Sequence, residues 1–135
     1  MNITVIDGQG GQLGAQVIKS ILARFPESIV TAVGTNTVAT AAMLKAGAAE
    51  AATGENPVVV AARKSDVIIG PIGIVIADSM GGEITPRMAV AVGQAEAVRI
   101  LIPMNRCDNL VAGVAEGNTA ALIEDVMRKL AALTA

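Results

Sequence analysis

The stretch with the clearest chemical potential is VIDGQGGQLGAQV, in which an apolar run leads into a cluster of glycines. The cluster fits the spacing G-x-x-G-x-x-G through Gly8, Gly11 and Gly14. In this spacing Gly8 would turn the chain off a strand, Gly11 would let a phosphate approach the backbone, and Gly14 would let a helix lie close to a sheet. Free N–H groups and the dipole at the start of a helix favour bound anions. We therefore predict nucleotide or anion binding at Gly8, Gln9, Gly10, Gly11, Gln12, Leu13 and Gly14, the alternative being a corner that serves packing alone.

Two further loops are expected to complete a nucleotide site. A carboxylate about 20 residues after the glycines normally binds the ribose hydroxyls, but this chain has Gly34-Thr35-Asn36 there. Ribose would then bond to Thr35 or Asn36, and no arginine stands beside them for a 2′-phosphate. A flat apolar group could rest against Pro71, Ile72 and Gly73. The expected cofactor is NAD or another nucleotide.

Three charged residues are the candidates for catalysis. Asp7 or Asp78 could act as a general base, and Arg106 could clamp a phosphate or carboxylate, since a guanidinium group binds both bidentately. Asp7 stands directly before the glycines, where its charge would repel a phosphate unless a hydrogen bond or a helix N-terminus offsets it.

Asp78 opens a polar, glycine-rich segment ending at Glu83, which could form a lid or supply the base. The reading that we favour for this segment is a helix that ends at Gly81-Gly82, with Asp78 and Ser79 solvated.

Composition excludes several other classes of function. The chain has no histidine and one cysteine, so no metal site and no internal disulfide are expected, and Cys107 lacks a histidine to activate it. A net charge of −2 without basic runs argues against nucleic acid as a partner. No apolar stretch reaches the roughly 20 residues of a membrane helix. Met1 leads directly into NITVID, so we expect a cytoplasmic protein without a secretory segment.

Strand-length apolar runs alternate with stretches of helical period, which is typical of βαβ units. The predicted strands are Ile3–Ile6, Ile29–Val33, Ala49–Ala52, Val67–Gly70, Arg99–Pro103 and Leu110–Val114. The predicted helices are Gln12–Arg24, Thr37–Lys45, Pro57–Lys64, Pro86–Ala95 and Thr119–Leu133. These elements predict one domain over residues 1–135, an α/β three-layer, doubly wound, mostly parallel sheet of Rossmann-like type, with strand order 3-2-1-4-5-6. The carboxyl edge of such a sheet would carry the loops Asp7–Gly14, Gly34–Asn36, Gly70–Gly73 and Met104–Asp108.

Helix ends and one helix face carry further signals. Asn56, Thr85 and Asn118 are predicted N-caps, and Gly47 is a predicted C-terminal cap. In the last helix Glu124 with Arg128, and Asp125 with Lys129, are spaced as ion pairs on a solvated face. The small residues Ala89, Ala91, Gly93 and Ala95 of the helix PRMAVAVGQAEA allow close packing either on the sheet, with Met88 and Val92 inward, or against a second copy. A nucleotide-binding unit without a catalytic domain often completes its site across a dimer, so a homodimer is expected.

The first residues, MNITVIDGQGGQLGAQV, resemble the start of the extended short-chain dehydrogenases, whose glycine turn grips the pyrophosphate of NAD or NADP. Those enzymes use a Tyr-x-x-x-Lys pair, and this chain has no tyrosine, so their mechanism does not carry over. From Met1 to Val114, segments such as TAVGTN, ATGEN, GPIGIVIADS and EITPRMAVAVGQ resemble an uncharacterised family of short bacterial proteins. That resemblance implies the fold and supplies no reaction.

Three hypotheses follow from the sequence. The first is a small nucleotide-binding protein. The second is an enzyme acting on a small phosphorylated or carboxylated metabolite. The third is a non-catalytic regulatory subunit whose alanine-rich helix is an interface.

Overall fold

The computed structural model describes residues 1–104, 108–114 and 118–134. Within them a five-stranded, all-parallel sheet has the order β3-β2-β1-β4-β5. The strands are β1 (Asn2–Asp7), β2 (Ile29–Gly34), β3 (Glu50–Thr53), β4 (Val67–Pro71) and β5 (Val98–Ile102). The helices are α1 (Gln12–Arg24), α2 (Thr37–Lys45), α3 (Glu55–Lys64), α4 (Pro86–Gln94) and α5 (Thr119–Thr134), and a short 3-10 helix spans Ile72–Val75. The predicted α/β Rossmann-like fold is confirmed.

The sheet separates two apolar layers because successive side chains of a strand point to opposite faces. In β1, Ile3 and Val5 pack with α1, α2 and α5, whereas Ile6 packs with α3, α4 and the segment after β4. In β4, Ile69 belongs to the same layer as Ile3 and Val5, and Ile68 belongs to the same layer as Ile6. The central strands are thus apolar on both faces, as a parallel sheet covered by helices requires.

The predicted sixth strand is wrong. Residues 108–114 form turns and irregular backbone, and Leu110 is 95% exposed. Asp108 and Gly113 have φ of 65° and 80°, which are incompatible with extended backbone at either end of the run. The apolar run Leu110–Val114 is short, and no strand of the described sheet pairs with it, so it does not form a strand. Among the described residues β5 is therefore the last strand of the sheet.

Most of the predicted helix ends are confirmed. Met88 N donates to Thr85 Oγ1 (3.2 Å), Ala121 N donates to Asn118 Oδ1 (2.8 Å), and Gly47 has the positive φ (118°) of a residue just past a helix. The predicted cap at Asn56 is wrong, because α3 begins earlier, at Glu55, after a turn at Gly54.

The outer face of α5 differs from the prediction in one ion pair. Asp125 pairs with Lys129 (2.5 Å) as expected, but also with Arg128 (3.2 Å). Glu124 pairs with Arg24 of α1 (2.5 Å) instead of Arg128. The neighbouring helix thus offers Glu124 a partner that the spacing within α5 does not reveal.

Candidate functional site

The candidate site lies at the carboxyl edge of the sheet, where β1, β2 and β4 end side by side. The glycine loop, residues 8–11, joins β1 to α1, and Thr35 and Asn36 join β2 to α2. A longer connection, residues 72–85, leads from β4 to α4. Arg106 and Cys107, predicted at the end of β5, lie outside the described residues.

Asp7, the last residue of β1, is buried with 2% exposure. Its Oδ1 accepts from Gly8 N (2.8 Å) and its Oδ2 accepts from Gly14 N (2.7 Å). Burial raises the pKa of Asp7, against the opposing effect of these two amides, and the nearby charge of Glu83 raises it further. Since Gly11 at the start of α1 offers no capping side chain, Asp7 supplies an acceptor to the first turn of α1. Its geometry is that of a structural carboxylate, with both oxygens already bound.

Glu83 reaches the glycine loop from the β4–α4 connection. Its Oε1 accepts from Thr35 Oγ1 (2.6 Å), Asn36 Nδ2 (2.7 Å) and Gln9 N (2.9 Å). Partial burial favours the neutral carboxyl, but the hydrogen bonds from Thr35, Gln9 and Asn36 outweigh it and lower the pKa of Glu83. We call these four residues the Glu83 clamp.

Two residues of the clamp, Thr35 and Asn36, are those that were predicted to bind ribose. Thr35 and Asn36 direct their side-chain donors at Glu83, and Asn36 Nδ2 also donates to Gln9 O (3.0 Å). Asn36 Oδ1 meanwhile caps α2 by accepting from Ala39 N (2.8 Å). Sequence reasoning placed Glu83 in a polar segment but missed this arrangement, because no spacing relates Glu83 to residues 47 or more positions away.

The segment around Glu83 is a series of turns, so the favoured reading, a helix that ends at Gly81-Gly82, is wrong. Asp78 N donates to Ile84 O (2.7 Å) and Ser79 Oγ donates to Gly73 O (2.5 Å). Ser79, Met80 and Ile84 are buried at 3% exposure or less. Only Asp78 and the two glycines are exposed, so the segment is anchored on both sides of Glu83.

Three of the four glycines between residues 8 and 14 are required by the protein's own packing. A Cβ on Gly8 would lie 2.6 Å from Thr35 Oγ1 and 3.0 Å from Glu83 Oε1. On Gly11, whose φ is 73°, it would lie 2.6 Å from the Cα of Ala39 in α2. On Gly14 it would meet Asp7 and Met43 at 2.9 and 2.6 Å. The close approach that we assigned to a phosphate at Gly11 is made by α2.

Gly10 differs from these three glycines. A Cβ there would meet only Gln12 Cγ, at 4.0 Å, so the space in front of Gly10 is open. Within residues 1–104, 108–114 and 118–134, the amide N–H groups of Gly10, Gln12 and Leu13 have no acceptor. These three donors flank the N-terminus of α1, which favours negative charge. They form the part of the predicted loop that is available to a ligand.

The predicted apolar surface at the end of β4 has a local structural role. Pro71 ends the strand as predicted, in register with Ile102 of β5. Gly73 is buried, and its carbonyl accepts from Ser79 Oγ and from Ile76 N (3.0 Å). Ile72 remains partly exposed. Contact of a ligand with this surface stays a prediction.

A groove of about 760 Å³ lies between α3 and α4, away from the glycine loop. It is lined at its floor by residues that precede β4 and β5, among them Asp66 and Ala97, and at its sides by Arg63, Arg87 and Val90. Met88 and Val92 of α4 point inward, as predicted. The groove therefore belongs to the amino edge of the sheet and to the helix predicted as a dimer interface.

The sequence matches the model of one protein family, described as a domain of unknown function (DUF3842), over residues 2–135. The chain belongs to the DUF3842 family. This DUF3842 domain is significantly similar to no curated protein and to no solved structure.

Two further structural findings concern metals and membranes. Among the described residues of this DUF3842 domain, no three His, Cys, Asp or Glu side chains are grouped so that they could hold a metal ion. None of its described helices is both long and apolar enough to span a membrane.

Proposed function

We propose that this protein binds a nucleotide at the carboxyl edge of its sheet, with the phosphates on the amides of Gly10, Gln12 and Leu13. The observation that carries the proposal is that these three amides lack an acceptor among the described residues while their neighbours Gly8, Gln9 and Gly14 are all paired. NAD and other nucleotides carry phosphate oxygens that such amides bind. The open space before Gly10 gives the phosphate room.

The negative charge of Asp7 does not oppose this proposal strongly. Both of its oxygens accept amide N–H groups, whose partial positive charges offset the charge of the carboxylate. Asp7 is also only 2% exposed, with both oxygens bonded to backbone amides, which argues against the enzyme hypothesis with Asp7 as base.

Ligand-induced thermal stabilisation tests the proposal. We expect ADP and NAD to raise the melting temperature of the wild-type protein, since a ligand at 100 times its Kd stabilises the folded state by about 2.7 kcal/mol. Gly10→Leu fills the open space and should abolish the shift without unfolding the protein. Gly11 is unsuitable for this purpose because any side chain there collides with α2.

Ala23→Leu is the matched control, because Ala23 is exposed near the C-terminal end of α1, at the edge of the sheet opposite the glycine loop. It should keep the full ligand shift. Absence of a shift with ADP, NAD and inorganic pyrophosphate in the wild-type protein would contradict the proposal. An equal shift in Gly10→Leu would place the ligand elsewhere.

We propose a cytoplasmic protein that forms a homodimer through α4, where Val90 is 53% exposed beside the α3–α4 groove. A shared apolar helix face is a common basis for a symmetric dimer.

A further inference from the structure

Glu83 uses its two carboxylate oxygens unequally. Oε1 accepts three hydrogen bonds, from Gln9, Thr35 and Asn36. No donor from the described part of the chain reaches Oε2. The side chain is partly exposed, so this second oxygen retains its capacity to accept hydrogen bonds from a ligand.

The place of Glu83 in the fold corresponds to that of the ribose-binding carboxylate in dinucleotide-binding sheets. In dinucleotide-binding sheets a carboxylate at the end of the second strand binds the ribose hydroxyls, beside the phosphates at the first glycine turn. Here β2 ends in Gly34-Thr35-Asn36 and carries no carboxylate. Glu83 brings one to the same place from the β4–α4 connection, since it bonds both to the glycine loop and to the residues after β2.

We infer that Glu83 binds the ribose hydroxyls of the nucleotide and selects a ribonucleotide with a free 2′-hydroxyl over one with a 2′-phosphate. This inference rests on the proposed function, because it takes the phosphates to lie at Gly10, Gln12 and Leu13. It names the ligand class as NAD-like or ADP-like and excludes NADP-like ligands.

Charge supports the selectivity against a 2′-phosphate. Two carboxylates, Glu83 and Asp7, lie near enough to interact electrostatically. Among the hydrogen bonds and ion pairs of the described residues, no lysine or arginine contacts the Glu83 clamp. A 2′-phosphate placed beside Glu83 would meet a like charge, and the described residues supply no lysine or arginine bonded to the clamp to compensate it.

The clamp is also organised before any ligand arrives. Met80 and Ile84, on either side of Glu83, are 3% and 0% exposed, and the bond from Asp78 N to Ile84 O closes the turn that carries it. A side chain already fixed by three hydrogen bonds loses little conformational freedom on binding. Glu83 can therefore discriminate between ligands that differ by one hydroxyl group.

Calorimetric titration with ADP, 2′-deoxy-ADP and adenosine 2′,5′-diphosphate tests the inference. We expect the wild-type protein to bind ADP about tenfold or more tightly than 2′-deoxy-ADP, as hydrogen bonds to charged groups allow. In Glu83→Gln the preference for ADP over 2′-deoxy-ADP should shrink severalfold, because the charged acceptor is lost. The relative affinity for adenosine 2′,5′-diphosphate should rise, because the repulsion is removed.

Glu27→Gln is the charge-matched control, since Glu27 is exposed in the α1–β2 connection at the opposite edge of the sheet. It should keep both preferences, and circular dichroism melting curves verify that each variant is folded.

If the wild-type protein and Glu83→Gln bind ADP and 2′-deoxy-ADP with the same affinity ratio, the inference is overturned while the proposed function stands. If the wild-type protein binds none of the three nucleotides, nor NAD, both are overturned.

Discussion

At the scale of single residues, the chemistry of the site depends on which donors each carboxylate meets. Asp7 and Glu83 are both acidic, yet the pKa of Asp7 is raised by burial and that of Glu83 is lowered by hydrogen bonds from Thr35, Gln9 and Asn36. The sequence indicated Asp7 as a candidate base because it precedes the glycines. Its side chain instead binds Gly8 and Gly14, and the partly exposed carboxylate of the site is that of Glu83.

Replacing Asp7 with asparagine tests its structural role. An asparagine side chain has one oxygen, so it can accept only one of the two amide N–H groups and turns its own N–H₂ group towards the other. The unpaired buried donor should lower the free energy of unfolding by about 1–3 kcal/mol. Urea denaturation at pH 7, followed by circular dichroism, measures this loss.

Asp66→Asn serves as the control for Asp7→Asn. Asp66 is exposed and its carboxylate accepts a single amide, Asn2 N (2.7 Å), so one oxygen suffices. Its replacement should change stability by less than about 0.5 kcal/mol. Equal losses in the two variants would refute a capping role for Asp7.

At the scale of elements, the helix and strand bounds follow local signals closely. The observed bounds of α1 and α2 equal the predicted ones, and those of the five strands agree within two residues. Caps such as Thr85 act through bonds a few residues away, so the sequence displays them directly. The predicted Glu124–Arg128 pair was wrong because a distant partner decides, since Glu124 pairs with Arg24 of α1.

Because Gly11 packs against α2 and the adjacent Gly10 does not, we expect the two positions to tolerate substitution by alanine differently. Gly11→Ala places a Cβ against Ala39 of α2 and forces a side chain into a φ of 73°, which should cost about 1–3 kcal/mol of unfolding free energy. Gly10→Ala meets open space and should stay within about 0.5 kcal/mol of the wild-type protein.

Chemical denaturation of both glycine variants under identical conditions makes this comparison. If Gly10→Ala proves as costly as Gly11→Ala, the packing of α2 on the loop is not the reason for glycine at position 11.

At the scale of the whole molecule, one sheet joins the two apolar layers, so both layers should unfold together. Ile68 and Ile69 are 0% exposed and belong to opposite layers. Ile68→Val and Ile69→Val should each lower the free energy of unfolding by about 0.5–1.5 kcal/mol and shift the same single transition.

Ile29→Val is the control for these core variants, because Ile29 is 56% exposed at the start of β2. It should leave the denaturation midpoint nearly unchanged. Separate transitions for the two layers, seen by amide hydrogen exchange or calorimetry, would show that the sheet does not couple them.

The sequence by itself determined the class of fold, the order of the five observed strands and the loop that opens α1. These features depend on hydrophobic periodicity, glycine spacing and caps, which act within a few residues of the chain. The tertiary structure alone decided that residues 108–114 form no strand, that α2 rather than a phosphate approaches Gly11, and that Glu83 reaches Gln9, Thr35 and Asn36. Those outcomes depend on which backbone atoms and donors meet across the sheet, and this information arises only when residues far apart in sequence pack together.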